Sequence, residues 1–97
     1  MKRLKNIHPG EILREEFMIP LQITSYRLAK ETNIQATRIS QILHEKRSIS
    51  PDTALRLSKF FGNSPDFWLG IQMEYELREQ KSKIEKELNE IKTLDIA

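Results

Sequence analysis

Cysteine is absent from the 97-residue sequence, and histidine occurs only twice. Without cysteine the chain can form neither a disulfide framework nor a thiolate metal site, and a reducing compartment is its natural setting. The two histidines, His8 and His44, are far apart in the sequence and do not have the spacing of a metal-binding motif. We therefore expect neither a metal ion nor another cofactor.

Long apolar runs are missing as well, and no stretch approaches the roughly 20 apolar residues that a membrane-spanning helix needs. The N-terminal residues MKRLKNIHPGE include basic side chains, but no apolar segment follows them, so we do not expect a signal peptide. The composition, with 38% hydrophobic and 31% charged residues, is that of one globular domain of ordinary size. We expect a cytoplasmic location and no membrane partner.

The sequence also lacks a constellation typical of catalysis. Glu11, Glu15 and Glu16 are close together in the first predicted helix, but no nucleophile or metal ligand accompanies them. A solvated acidic face explains these carboxylates better than a general acid–base pair does. The chain is therefore predicted not to be an enzyme.

Charge is unevenly distributed along the chain, although the formal net charge is only +2. Residues 1–47 carry nine basic and five acidic side chains, whereas residues 48–97 carry seven basic and nine acidic ones. A basic half on a small domain suggests a polyanionic partner such as nucleic acid. A difference of a few charges is also common in proteins that bind no nucleic acid, so this pattern alone does not decide the partner.

Proline, glycine and small polar residues mark the ends of the predicted helices. Residues 50–52 and 64–66 both read Ser-Pro-Asp, which combines a cap, a first-turn proline and an acid that favours the positive end of the helix dipole. Pro9 begins a first helix in a similar way, while Asn33 and Gly62 suit the left-handed conformation found just beyond a helix end. No segment alternates as a strand would. We predict an all-α fold of five helices.

The segment 34–43, IQATRISQIL, is a poor helix by composition but has two distinct faces. Ile39, Ile42 and Leu43 have the spacing that buries one face of a helix. The opposite face carries short or polar side chains: Ala36, Thr37, Arg38, Ser40 and Gln41. Glu and Lys would serve a solvated surface better, whereas a helix that lies against base edges and phosphates needs small, hydrogen-bonding residues.

The preceding helix is predicted to begin at Thr24 and to end near Asn33, only a few residues before this segment. Two helices with so short a connection are typical of a helix-turn-helix, whose second helix enters the major groove of DNA. For an isolated helix, a merely solvated polar face would be the simpler interpretation. The helix-turn-helix context favours DNA binding for the face as a whole.

Five segments resemble those of a known family and occur in the same order and spacing: HPGEILREEF, YRLAK, RISQILHEKR, TALRLSKFFG and SPDFWLGIQ. From His8 to about Tyr75 the chain resembles the HigA/VapI-type antitoxins, which belong to the Xre group of lambda-repressor-like helix-turn-helix proteins. The resemblance implies a homodimer that binds an inverted repeat in double-stranded operator DNA and represses its own operon. It also implies a HigB-type toxin as partner, an RNase that cleaves mRNA and is held inactive by the antitoxin.

The resemblance assigns base contacts to the first turns of the third helix, at Ala36, Thr37, Arg38, Ser40 and Gln41. We expect phosphate contacts from the start of the second helix, from the turn, and from the loop after the third helix. The residues concerned are Thr24, Ser25, Tyr26, Gln35, Lys46 and Arg47. Thr24 also fits a purely structural role as a helix cap, and Lys46 and Arg47 also fit a solvated loop.

The fifth predicted helix has large apolar residues on more than one side, which in a small chain favours a surface shared with a partner. Beyond Tyr75 we predict a C-terminal extension of this helix, with one narrow apolar stripe. The predicted dimer interface comprises Trp68, Ile71, Tyr75, Leu77, Ile84 and Leu88. For the aromatic residues the alternative is completion of the domain's own core, and for the stripe it is packing on the domain, contact with the toxin, or a solvated extension.

We accordingly divide the chain into a basic N-terminal arm (residues 1–7), a helix-turn-helix DNA-binding domain (residues 8–75) and a C-terminal helical extension (residues 76–97). The favoured function is a dimeric, autorepressing antitoxin. One alternative is a solitary Xre-type regulator without a toxin, which a neighbouring toxin gene would exclude. The other is a helical protein-interaction module, which would lack the steep salt dependence of DNA binding.

Overall fold

The computed structural model describes residues 5–95, and every regular element within that range is a helix. The elements are α1 (Pro9–Ile12), a π-helical segment (Leu13–Met18), α2 (Ile19–Leu21), α3 (Ser25–Thr32), α4 (Ala36–Leu43), α5 (Pro51–Phe61), α6 (Pro65–Lys83) and α7 (Glu85–Asn89). The predicted all-α fold is confirmed, and the first three elements together form the first of the five predicted helices. Residues 1–4 of the predicted arm and 96–97 of the predicted extension lie outside the described range.

The first helix begins at a histidine cap and widens before a proline. Nδ1 of His8 accepts a hydrogen bond from the N–H of Gly10 at 2.9 Å. Pro20 has no N–H, and in a regular α-helix its ring would collide with the carbonyl four residues earlier. The π-helical turns over Leu13–Met18 widen the helix ahead of this proline, and the helix ends one residue after Pro20 rather than at it.

The other helix ends follow the capping pattern of the sequence. The hydroxyl oxygens of Thr24, Ser50 and Ser64 each accept a hydrogen bond from the backbone N–H three residues later, at 3.1, 3.3 and 3.1 Å. Asn33 and Gly62 terminate α3 and α5 in the left-handed conformation, with φ of 58° and 77°. These caps pair backbone groups that a helix leaves unsatisfied at its ends, and each typically contributes about 1 kcal/mol. The predicted starts and stops of these helices are confirmed.

The core lies between the first helix, α3, α4, α5 and the first half of α6, and Trp68 is its largest fully buried side chain. Nε1 of Trp68 donates to Oδ1 of Asn63 at 2.9 Å, and the Phe17 ring lies 4.8 Å from the indole between centroids. The indole is therefore both packed and hydrogen-bonded within its own domain. It presents no surface to a second subunit, which corrects the expectation that Trp68 forms part of a dimer interface.

The C-terminal extension is not one continuous helix. α6 continues to Lys83, but Ile84 has φ of −117° and ψ of 21°, which interrupts the helix before the short α7. Residues 90–95 form no helix, and all residues from 76 to 95 are exposed except the half-buried Ile84. The prediction of a single extended helix is therefore wrong beyond Lys83. The physical reason is that a helix with one thin apolar stripe and little packed on it is only marginally stable. Within residues 5–95 no helix is both long and apolar enough to cross a membrane.

Candidate nucleic-acid interface

The two faces of α4 are separated as the sequence predicts. Ile39 and Ile42 are completely buried, whereas the polar face carries side chains that are exposed to solvent. These exposed residues are Ala36, Thr37, Ser40 and Gln41. The chain thus presents a row of small and hydrogen-bonding groups on a helix whose opposite side is fixed in the core.

A tight turn joins α4 to α3. Asn33 ends α3 in the left-handed conformation, and Ile34 follows it into the core with 3% of its surface exposed. Gln35 then occupies the position before α4 and makes no side-chain cap hydrogen bond there, so its exposed amide is available to other partners. Since α3 and α4 pack against each other across this turn, the pair has the construction of a helix-turn-helix.

The first helix packs very closely against the C-terminal end of α4. A methyl group built on Gly10 would lie 1.9 Å from the carbonyl oxygen of Ile42, so the two backbones approach as closely as only glycine permits. Nη1 of Arg14 donates to the Leu43 carbonyl oxygen at 2.8 Å. The last carbonyl groups of α4 therefore face residues of the first helix. These contacts fix the position of α4 along its own axis.

A Schellman motif terminates α4. Glu45 adopts the left-handed conformation with φ of 60°, and its N–H donates to the Ile42 carbonyl at 3.0 Å. The N–H of Lys46 donates to the Gln41 carbonyl at 2.8 Å, which completes the paired hydrogen bonds of this motif. The following residue, Arg47, turns back along the helix, and its Nη1 donates to Oε1 of Gln41 at 2.8 Å.

Arg38 is placed differently from the other residues of the predicted base-contacting set. Its Nη1 donates to Oδ2 of Asp52 at 2.6 Å, and its side chain is only 26% exposed. Asp52 also accepts a hydrogen bond from Nε of Arg56 at 3.0 Å. These two arginines lower the pKa of Asp52, the hydrogen bond from Arg38 having the larger effect. In the free protein, Arg38 therefore pairs with α5.

Arg56 extends this network to the end of α3. Its Nη1 donates to the carbonyl oxygen of Thr32 at 3.1 Å, near the C-terminus of that helix. Asp52 and Arg56 thus connect α4, α5 and the turn of the helix-turn-helix. The spacing of four residues between Asp52 and Arg56 in α5 indicates a helical ion pair from the sequence alone. The contacts of Asp52 with Arg38 and of Arg56 with Thr32 cannot be predicted from the sequence in this way.

The residues expected to meet phosphates lie at the two ends of this unit. Thr24 caps α3, so its structural role is established, while Ser25 and Tyr26 follow it with exposed side chains, Tyr26 being 76% exposed. Lys46 and Arg47 are also exposed, in the loop after α4.

The candidate dimer residues other than Trp68 fall into two groups. Ile71 and Tyr75 are half-buried, and Tyr75 packs on its own domain, with its ring 4.8 Å from that of His8. Leu77 and Leu88 are exposed to 58% and 38%, and Ile84 is half-buried at the break after α6. The structure therefore packs Ile71 and Tyr75 on the domain, covers Ile84 in part, and leaves Leu77 and Leu88 exposed.

Comparison with known proteins identifies the class of protein to which this fold belongs. A helix-turn-helix family model matches residues 13–68, which is more than half of the chain. The relatives include virulence-associated protein I of Dichelobacter nodosus, 46% identical over 72 residues that cover 74% of this chain and 67% of that protein. Antitoxin HigA-1 of Vibrio cholerae is 31% identical over 88 residues, covering 91% of this chain and 83% of that one.

A solved structure extends the match to the whole architecture. Antitoxin HigA of Pseudomonas aeruginosa, determined with the higBA promoter, is 38% identical and superposes with a TM-score of 0.87. The superposition covers 94% of this chain and 100% of that one. The chain belongs to the Xre-type helix-turn-helix family, in the group that includes the HigA antitoxins and virulence-associated protein I.

Proposed function

We propose that this protein is a DNA-binding antitoxin that represses its own operon as a dimer and neutralises a HigB-type, mRNA-cleaving toxin. The similarity to a HigA antitoxin that was solved with its promoter supports the DNA partner. The toxin partner is inferred from the family. Because both operon DNA and mRNA are intracellular targets, we infer a cytoplasmic location, and we assign the protein no catalytic role.

One observation carries the DNA-binding part of the proposal: the exposed face of α4 is small and polar, and the helix itself is anchored near both ends. Gly10 and Arg14 fix the C-terminal end, and the Arg38–Asp52 pair ties the helix to α5. A helix held in this way can place Thr37 and Gln41 against base edges in the major groove. Ser25, Tyr26 and the loop after α4 would then lie against the phosphate backbone.

The polar face itself divides into direct and indirect roles. Ala36 is small enough to let the backbone approach the duplex, while Thr37, Ser40 and Gln41 offer hydrogen-bonding groups. We propose that Arg38 acts mainly through its position, because its guanidinium already pairs with Asp52. Gln35 and Lys46 complete the proposed phosphate contacts, whereas the guanidinium of Arg47 pairs with Gln41.

A dimer of such domains should recognise two half-sites about one helical turn apart, roughly 34 Å, or a multiple of that distance. We propose that Leu77, Ile84 and Leu88 form the contact between subunits together with Ile71 and Tyr75. Leu77 and Leu88 are exposed, and a symmetric dimer is the commonest way to cover such apolar side chains.

The test is binding of the purified protein to the DNA upstream of its own gene, measured by footprinting and by titration at several salt concentrations. We expect a paired footprint and an affinity that falls steeply as salt rises. Gln41→Ala should weaken operator binding by about 1–3 kcal/mol and leave binding to random DNA nearly unchanged. Equal loss on both DNAs, or a single unpaired half-site, would contradict the proposal. Toxin neutralisation is tested by adding the protein to an mRNA cleavage assay with the product of a neighbouring gene.

A further inference from the structure

The contact between Gln41 and Arg47 joins the proposed base-reading face of α4 to the loop that follows it. Nη1 of Arg47 donates to Oε1 of Gln41 at 2.8 Å, and both side chains are exposed. The Schellman motif at Glu45 and Lys46 sets the direction of the chain immediately before Arg47. The turn of the chain brings Arg47 back to the last turn of α4, where its guanidinium reaches Gln41.

The chemistry of arginine fixes which way the Gln41 amide points. A guanidinium carries only hydrogen-bond donors, so the amide atom that faces Arg47 has to be the oxygen. The Nε2 group, with two donors, is then left to point away from Arg47. The remaining N–H groups of the guanidinium are donors as well, so the outward-facing groups of the pair are predominantly donors.

We propose that Arg47 is a positioning residue that presents Gln41 to DNA as a donor, so that the pair reads guanine. This inference rests on the proposed DNA binding and deepens it. Guanine displays two acceptors, N7 and O6, on its major-groove edge, and a donor pair matches both of them. Glutamine alone usually pairs with adenine, using its oxygen to accept from N6 and its nitrogen to donate to N7. An amide oxygen can accept two hydrogen bonds, but here it is directed towards the Arg47 guanidinium and so away from the N6 group of an adenine, which disfavours adenine.

Lys46 provides a matched control within the same loop. It is exposed and basic like its neighbour, but it contacts Gln41 through its backbone N–H and not through its side chain. Lys46→Ala and Arg47→Ala each remove one positive charge from adjacent positions. Only Arg47→Ala removes the group that orients the amide, so the two variants separate orientation from phosphate attraction.

The experiment measures the dissociation constants of the full-length protein for its footprinted operator and for duplexes with each base substituted in turn. The proteins are the wild type, Gln41→Ala, Arg47→Ala, Lys46→Ala and the double variant Gln41→Ala/Arg47→Ala. We expect the wild type to prefer guanine over adenine by about tenfold at one position of each half-site, and Gln41→Ala to lose that preference. Arg47→Ala should reduce the same preference several-fold, whereas Lys46→Ala should weaken all duplexes alike.

The double variant gives the coupling between the two side chains. If Arg47 acts through Gln41, the double variant will show no further loss of base preference beyond that of Gln41→Ala. A uniform loss for Arg47→Ala, parallel to that for Lys46→Ala, would make Arg47 a phosphate contact and overturn the inference. A preference for adenine at the position governed by Gln41 would overturn it too. If the wild-type protein showed no salt-dependent binding to the operator, that result would instead overturn the proposed function itself.

Discussion

Arg38 of α4 and Asp52 of α5 form an ion pair with 2.6 Å between Nη1 and Oδ2. The same carboxylate oxygen accepts from Arg56, whose guanidinium also reaches the end of α3. One acidic side chain in the first turn of α5 therefore bridges the two helices of the helix-turn-helix. Exposed ion pairs contribute little to stability, but a network of this kind restricts the angle at which α4 is presented.

We expect Asp52→Asn to lower thermal stability at neutral pH, because it removes the negative charge shared by two arginines. The pKa of Asp52 is lowered in the folded state by Arg38 and Arg56, so folding favours the ionised form. This contribution is present above the unfolded value of about 3.9 and is lost as pH falls through the lower folded value. The difference in melting temperature between wild type and variant should accordingly be largest near pH 7 and shrink at the acid end.

Asp66→Asn is the matched control for that measurement. Asp66 occupies the corresponding first-turn position of α6 after the same Ser-Pro pair, and no arginine pairs with it among residues 5–95. Its replacement should therefore affect only the favourable interaction with the helix dipole. Equal destabilisation by the two substitutions would show that the arginine network contributes nothing beyond the dipole.

Replacing Gly10 with alanine should destabilise the domain by about 1–3 kcal/mol, because the added methyl group has to push the first helix away from the Ile42 carbonyl. Gly70→Ala serves as the control, since nothing beyond the adjacent residues and the backbone of its own helix lies within 4 Å of the methyl group at that position in α6. Alanine there should stabilise by about 0.5–1 kcal/mol through helix propensity. Urea unfolding of both variants measures the effects, and the same sign for both would contradict this account.

Stability should also fall on acidification below about pH 6.5, because His8 is buried in its neutral form. Burial lowers the pKa of His8, while the charge of Glu45 acts in the opposite direction with a smaller effect, and Nδ1 of His8 accepts a hydrogen bond from the Gly10 N–H. The folded pKa lies below the unfolded one, so the stabilisation is complete above the unfolded value of about 6.5 and is lost below it. His8→Asn keeps a cap and removes the titrating ring, and its melting temperature should change less between pH 8 and pH 5. A pH dependence equal to that of wild type would exclude His8 as its source.

Ile84→Asp combined with Leu88→Asp should shift the protein towards monomer and weaken operator binding without unfolding the domain. Both positions lie beyond the domain's core, and a charge at each opposes burial against a second subunit. Sedimentation of the variant against wild type measures the change. Leu55→Asp is the control, because Leu55 is 60% exposed on α5 and lies outside the proposed contact. A dimer that survives the double substitution would place the interface elsewhere.

The sequence was most informative where the cause of a structure is local. Thr24, Ser50 and Ser64 cap helices as predicted, since a cap depends on residues only a few positions away. The separation of the buried Ile39 and Ile42 from the exposed Gln41 likewise follows from helical spacing alone. These local signals were enough to predict the helix-turn-helix and the face of α4 that it exposes.

The sequence was less informative where the outcome depends on partners distant in sequence. Arg38 is on the polar face by spacing, but its guanidinium pairs with a carboxylate fourteen positions away, which no local pattern reveals. Trp68 was assigned to a subunit contact because its helix has surplus apolar residues, and the domain's own core accommodates it instead. At Ile84 the apolar stripe continues in sequence, but α6 stops there, in a segment whose other residues are exposed and which tertiary packing therefore supports little.

The exposed C-terminal residues 76–95 should make the protein sensitive to proteases. A stretch that buries almost no apolar surface opens locally at little cost, whereas the core opens only when the whole domain unfolds. A protease requires accessible backbone that can become extended, and the exposed residues 76–95 should provide it well before α3 or α4 does. One cleavage near residue 76 would remove the exposed part of the proposed subunit contact, would leave Ile71 and Tyr75 on the folded domain, and would favour a monomeric reader of single half-sites.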